Sequence, residues 1–270
     1  MDKLLKRTND LIFKLIFGNE KNVDILEDFL KAVLRLPDEE YNHLRITNPA
    51  STIDKVDDKT IILDVKVYTK SRHVLNVEIQ VANTPELRDR ITYYASRNLS
   101  EQMYRGDDYV LKKSISILIT DFLLIKENDV YHNIYHLHDA KTDSTFTELI
   151  EINTLEIPKL TSAGEGPLVD WLRFISTNEK EELTMLGERN QAIGKATTVL
   201  YELSQDEHTR ALYDSREKAK WDEQSRLRGA KDEAVIEVAR NGLENGIAID
   251  IIMQMTKLTR EVVESLKPTT

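Results

Sequence analysis

The chain has no cysteine, so it carries no disulfide framework and no thiolate metal site. It has no apolar run of membrane-spanning length. The opening stretch MDKLLKRTNDLIFKLIFGNE mixes basic and apolar residues, but charge interrupts the apolar positions and no small-residue cleavage site follows. It does not read as a signal peptide. Excess positive charge is missing as well: 37 Lys and Arg stand against 47 Asp and Glu, a net charge of -10. That balance argues against a surface built for strong non-specific nucleic-acid binding, while leaving room for a local basic patch. There is no internal repeat and no low-complexity tract. These absences point to a cytoplasmic protein. Its 270 residues are enough for one or two domains and a sizeable core.

What is present is organised around Ile61 to Gln80, IILDVKVYTKSRHVLNVEIQ. Two β-branched apolar runs flank a polar break at Lys70-Ser71-Arg72-His73, which predicts a β-hairpin. Asp64 sits inside the first run and Glu78 inside the second. A carboxylate inside a buried strand is costly unless something compensates it, and for two converging carboxylates a divalent cation is the simplest compensation. Side chains alternate faces along a strand, so Asp64, Lys66 and Tyr68 share one face, as do Asn76, Glu78 and Gln80. A loop with an odd number of residues centred near Ser71 sets Asp64 across from Glu78, at about 5 Å between Cβ atoms. Without a cation such a pair repels and one member takes up a proton; with Mg2+ (or Mn2+) both stay ionised. A loop with an even count separates the two acids onto opposite faces.

Around the hairpin the spacing predicts an α/β core. Residues 8 to 36 read as helix, Gly18-Asn19 break, helix, with Thr8 or Asn9 as the first cap. A loose strand falls around Leu44 to Ile53, irregular because of Pro49. After the hairpin a helix with Thr84 as its cap runs to about Arg105. Ser114 to Ile125 reads as a buried strand, and Val130–His138 and Phe146–Ile152 as a hairpin on the sheet edge. The composition changes near residues 158 to 167, and everything beyond reads helical. Leu168 to Ile175 forms one helix, Gly187 punctuates, and Asn190 to Leu203 forms another. A long charged helix follows from Asp206 to about Arg240, and two short ones close the chain, the last capped by Thr259. Two regions are expected: residues 1–160 as a sheet-bearing domain with the candidate site, and 161–270 as a helical region. The final helix pair reads as a packing or oligomerisation element rather than a DNA reader, because Glu244, Asp250, Glu261 and Glu264 make it acidic.

An aspartate on one strand, a turn, then Glu-x-Lys or a variant on the next resembles the PD-(D/E)xK nuclease superfamily. The chain is similar in particular to the Rpn-type recombination-promoting nucleases, or PD-(D/E)xK family transposases. NDLIFKLIFGNE, LEDFL, ILDVKV, NVEIQ, RDRITYYASRNLSEQMYRGDDY and SISILITDF carry the resemblance. It implies a restriction-endonuclease-like mixed sheet flanked by helices and a Mg2+-dependent DNA endonuclease (a hydrolase) with a role in recombination or transposition. By that resemblance Asp64 matches the metal-binding aspartate, Glu78 the second carboxylate, and Asp10 the aspartate of the first helix. Gln80 stands where most of the superfamily has a lysine; its amide can position a water or a phosphate oxygen but carries no charge. Lys66, on the face of Asp64, can supply that charge, and the Ile79 carbonyl is a further metal ligand in this scheme.

Arg88, Arg90, Tyr93, Tyr94, Arg97 and Tyr104 lie on the helix after the hairpin. Arg90, Arg97 and Tyr93 are candidates for gripping a phosphate backbone and stacking on bases, against a reading in which the arginines pair with Asp89 and Glu101. His132, His136 and His138 form a weak zinc pattern with no third ligand at sensible spacing, and read as edge-strand histidines. The alternative function is a non-catalytic interaction module that keeps the nuclease fold. It draws on the acidic charge, on Gln80 and on the long charged helix. DNA and RNA are not separated as substrates at this level.

Overall fold

The structure is a computed structural model that describes residues 4–47, 65–80, 84–103, 108, 110–161 and 164–267. It opens with α1 (Asp10–Phe17), α2 (Val23–Val33) and the short α3 (Asp38–Tyr41). Strands β1 (Arg45–Ile46), β2 (Val65–Tyr68) and β3 (Val74–Gln80) follow. Helix α4 (Leu87–Ser100) leads to β4 (Ser114–Thr120), β5 (His132–His138) and β6 (Thr145–Glu156). The rest is helical: α5 (Pro167–Ser176), α6 (Lys180–Arg189), α7 (Gln191–Gln205), α8 (Glu207–Glu244), α9 (Ile249–Thr256) and α10 (Arg260–Ser265). No described helix is long and apolar enough to cross a membrane.

The six strands form one mixed sheet in the order β1-β2-β3-β4-β6-β5. The β1/β2, β2/β3 and β5/β6 pairs are antiparallel, and β3/β4 and β4/β6 are parallel. Parallel neighbours need a crossover, and α4 supplies the one between β3 and β4. Helices accordingly cover both faces, as the α/β expectation requires. On one face Val65, Val67, Leu75, Val77, Ile79, Ile115, Ile117, Ile119 and Leu155 join one core with α1, α2, α5, α6 and α7. On the other, Leu87 and Ile91 of α4 pack with Leu118 and Leu124.

Local chemistry explains the entry. Asn9 caps α1 by accepting from the Leu11 amide, and the helix then buries nearly its whole circumference. Gly18 ends it where nothing larger fits: a Cβ there would lie 2.8 Å from the Lys14 carbonyl oxygen and 3.5 Å from Val65 Cγ2. An aromatic cluster ties α1 and α2 to α5, with ring centroids 5.5 Å apart for Phe17 and Trp171 and 5.9 Å for Phe29 and Trp171. The Trp171 indole donates to Asp28 Oδ1 at 2.7 Å, so its one polar atom is satisfied inside the core.

Two compact units divide the chain, residues 1–213 and 214–270. The sequence boundary at 160/161 marks where strands give way to helices; the first unit continues through α5, α6 and α7 to Tyr213. In the second unit a small core of Ala239, Ile252 and Val263 is closed by Leu243, Ile249, Met253, Leu258 and Leu266. Thr259 caps α10 by accepting from the Val262 amide, as its position suggests.

The structure corrects four local expectations. Thr84 does not cap α4 with its side chain; Leu87 N–H donates instead to the Thr84 backbone carbonyl at 3.1 Å, and Glu86 holds the cap position. Helix α4 ends at Ser100, short of Arg105, which lies outside the described residues. Strand β4 ends at Thr120, because the Leu124 and Ile125 amides are taken by the buried Glu156 carboxylate at 2.8 and 3.1 Å rather than by a neighbouring strand. Gly187 does not punctuate but lies inside α6, where a Cβ would sit 3.0 Å from Gly194 Cα of α7. It permits a close helix crossing. Of the loose strand at Leu44–Ile53, β1 is the described part; residues 48–53 lie outside.

The hairpin turn is held from outside. Glu40 of α3 accepts from Thr69 Oγ1 at 2.6 Å and from the Ser71 amide at 3.1 Å, and its own carbonyl accepts from Lys70 N–H. Burial works against the charged carboxylate, but the Ser71 and Thr69 hydrogen bonds and the nearby His73 outweigh it and hold the Glu40 pKa at about 2. A depressed carboxylate pKa stabilises the fold above the ordinary value of 4.5, and that contribution disappears as pH falls toward 2. Glu40→Gln should therefore cost about 1–2 kcal/mol at neutral pH. Thermal melts should show the gap between wild type and variant closing between about pH 4.5 and 2. A gap independent of pH would contradict this assignment.

Candidate functional site

The site builds on the register of the hairpin. Val65 pairs with Val77, Lys66 with Asn76, Val67 with Leu75 and Tyr68 with Val74. Five residues, Thr69 to His73, therefore separate the last pair, an odd number centred on Ser71. The turn closes through Arg72 N–H to the Thr69 carbonyl, with Arg72 in the left-handed region at φ 66°. This is the parity that the opposed-carboxylate argument needs. Asp64 itself lies outside the described residues.

Alternation then assigns the faces of β3. Val77 and Ile79 enter the core, while Glu78 and Gln80 are half-buried on the face over which α4 crosses. The Glu78 side chain is 17% exposed. Its Oε1 accepts from Arg90 Nη2 at 2.9 Å and from Gln80 Nε2. Glu78, Gln80 and Arg90 are thus in direct contact, with a neutral amide and a cation converging on one carboxylate oxygen.

A second polar group continues along α4. Lys66 Nζ lies 3.5 Å from Glu101 Oε2, and Arg97 Nε donates to Glu101 Oε1 at 2.7 Å. The hydrogen bond from Arg97 and the charge of Lys66 hold the Glu101 carboxyl below its ordinary value despite some burial. Arg90, Tyr93 and Arg97 fall at helical spacing on one face, and Tyr93 is 61% exposed, its ring edge-on to Tyr94 at 5.5 Å. Arg88 is used otherwise: its guanidinium donates to the Leu124 carbonyl at 2.8 Å.

Asp10 opens α1, where its Oδ1 accepts from the Leu11 amide at 3.0 Å, and α1 packs against β3 on the core side of the sheet. The Ile79 side chain is 5% exposed, so only its backbone can serve a ligand. The histidines find structural partners. His132 Nε2 bonds to Asn153 Oδ1 at 2.8 Å and His136 Nε2 to Glu151 Oε2 at 3.0 Å, while His138 Nδ1 lies 3.4 Å from Asp143. Among the described residues no group of three or more His, Cys, Asp or Glu is placed to hold a metal by side chains alone.

Two features escape sequence reasoning. Lys14 is 2% exposed, and its stem runs beside Gly18. The available signal was a lysine between Phe13 and Leu15 in an otherwise apolar helix. The second is the grip of Arg90 on Glu78, 12 residues apart in sequence and on different elements, which has no local signature.

No match to the chain is found among curated proteins or among solved structures. A family model does match, over residues 7–230, and thus takes in the whole sheet, α1 to α7 and part of α8. With the mixed sheet, the crossover helix and the β2–β3 hairpin in place, the chain belongs to the PD-(D/E)XK nuclease family transposases.

Proposed function

We propose that the chain is a Mg2+-dependent endonuclease that hydrolyses DNA phosphodiester bonds in the cytoplasm, in the service of recombination or transposition. The observation that carries this is the hairpin register. Val65 pairs with Val77, and in sequence Asp64 precedes the first and Glu78 follows the second. The donor chemistry fits the ion: carboxylate and carbonyl oxygens are the ligands Mg2+ prefers, and it commonly takes only one or two carboxylates and keeps several waters. Asp64 and Glu78 would hold it, with the Ile79 carbonyl and Asp10 completing the set. When bound, Mg2+ supplies an activated water and stabilises the charge that develops on the phosphate.

The remaining residues act around that ion. The Gln80 amide orients the water or a non-bridging phosphate oxygen. Lys66 provides the positive charge that Gln80 lacks. Arg90 and Arg97 take backbone phosphates, and the exposed Tyr93 ring stacks on a base. All these groups lie within residues 1–160, which we propose as the catalytic region. Homo-oligomerisation through the C-terminal helices belongs to the same reading, supported by the exposed Ile251, Met255 and Val262.

The test is direct. The purified chain should nick or linearise supercoiled plasmid in Mg2+ or Mn2+ and stop when EDTA removes the metal. Cleavage of RNA in place of DNA would reassign the substrate. Absence of cleavage of either would favour the non-catalytic module.

A further inference from the structure

Arg90 is partly buried on α4, the helix that packs over β4 and β6, and its side chain reaches across to β3. Its guanidinium is 2.9 Å from Glu78 Oε1, and the Gln80 amide donates to that same oxygen. A carboxylate oxygen offers two lone-pair sites. Two donors on Glu78 Oε1 therefore fill the lone-pair directions of that oxygen, and the guanidinium charge beside it opposes a cation arriving at either carboxylate oxygen. Of the two, the amide is neutral and the guanidinium is charged, and like charges a few Å apart repel strongly at a half-buried site. A cation arriving at Glu78 displaces the guanidinium rather than the amide.

We infer that Arg90 is an electrostatic stand-in for the metal on Glu78, and that cation binding hands its guanidinium over to the DNA backbone. The inference rests on the reading of Glu78 as a metal ligand. The geometry of α4 makes the handover possible. Arg90 is 37% exposed at its side chain, so it can swing outward without unpacking the helix, which is anchored by Leu87 and Ile91. Once released, it stands one turn before Tyr93 and two turns before Arg97, on the same face. The neighbouring arginine is placed differently, since Arg97 bonds to Glu101 and does not touch Glu78. Metal and DNA binding become coupled, each favouring the state in which Arg90 has left Glu78. By linkage the coupling is reciprocal.

The experiment uses the full-length protein and two probes: Mn2+, with free ion followed by electron paramagnetic resonance, and a fluorescent DNA duplex, with anisotropy read in EDTA and in Ca2+. Arg90→Gln should bind Mn2+ about threefold to tenfold more tightly than wild type, as expected for removal of a partly exposed charged competitor. Arg97→Gln, which removes the same charge from the same helix face, should leave Mn2+ affinity within about twofold, because it lies outside contact with Glu78. Ca2+ should raise the DNA affinity of wild type, and that increase should vanish in Arg90→Gln. Equal or weaker Mn2+ binding by Arg90→Gln, or the same gain in Arg97→Gln, would overturn the proposal. If wild type binds Mn2+ and Glu78→Gln does not, a null result at Arg90 removes this inference alone. If wild type binds no Mn2+ at all, the metal-site reading falls with it.

Discussion

Alanine at Asp64 or at Glu78 is expected to lower metal-dependent DNA cleavage by about a hundredfold to a thousandfold or more, the range seen when one preorganised electrostatic group is taken from an active site. The fold should survive the Glu78 change. That side chain lies on the half-buried face of β3, and the strand is held by its ladders to β2 and β4 and by Val77 and Ile79 in the core. The two partners left behind, Arg90 and Gln80, are themselves only partly buried and can turn to water. Plasmid cleavage and thermal melting of the same preparations check this. Rates should collapse in both variants, while the melting temperature of Glu78→Ala stays within a few degrees because the Arg90 and Gln80 groups it leaves behind can be hydrated. Full cleavage by Asp64→Ala would remove the site.

The second large effect concerns the core. Trp171→Ala should destabilise the first unit by roughly 3–5 kcal/mol. Trp171 is fully buried, packs on Phe17, Phe29 and Phe174, and donates to Asp28, whose Oδ1 would keep only the Asn190 amide as a partner. The cost adds a cavity to a weakened polar contact. A denaturant titration should show the midpoint falling with the slope unchanged. A loss below about 1 kcal/mol would mean that α5 is not integral to the core. The same packing predicts that a fragment ending near Pro158 fails to fold, because the partners that α5 covers on α1 and α2 would face water.

These expectations show which parts of the chain were legible. The hairpin was, because β-branched alternation and a short polar break leave few registers, and a one-residue slip would turn Val65, Val67, Leu75 and Val77 out of the core. Asn9, Gly18 and Thr259 were legible because caps and helix stops depend on residues next to them. The end of β4 was not: the apolar run continues to Ile125, and what stops the ladder is Glu156, thirty-odd residues on. Gly187 misled for a related reason. Glycine marks a break locally, but here it marks a close approach to Gly194, which only the packing of α6 on α7 reveals. In the site, the face shared by Glu78 and Gln80 followed from periodicity alone. The attachment of Arg90 to Glu78, the pinning of the turn by Glu40 and the burial of Lys14 each depend on a partner brought in by the tertiary fold.

The central claim is that Asp64 and Glu78 together hold a divalent cation, and calorimetric titration of Mn2+ into the full-length protein tests it most directly. The account predicts saturable binding by wild type that is lost in both Asp64→Ala and Glu78→Ala. Binding that is absent from wild type, or unchanged in either variant, would contradict it.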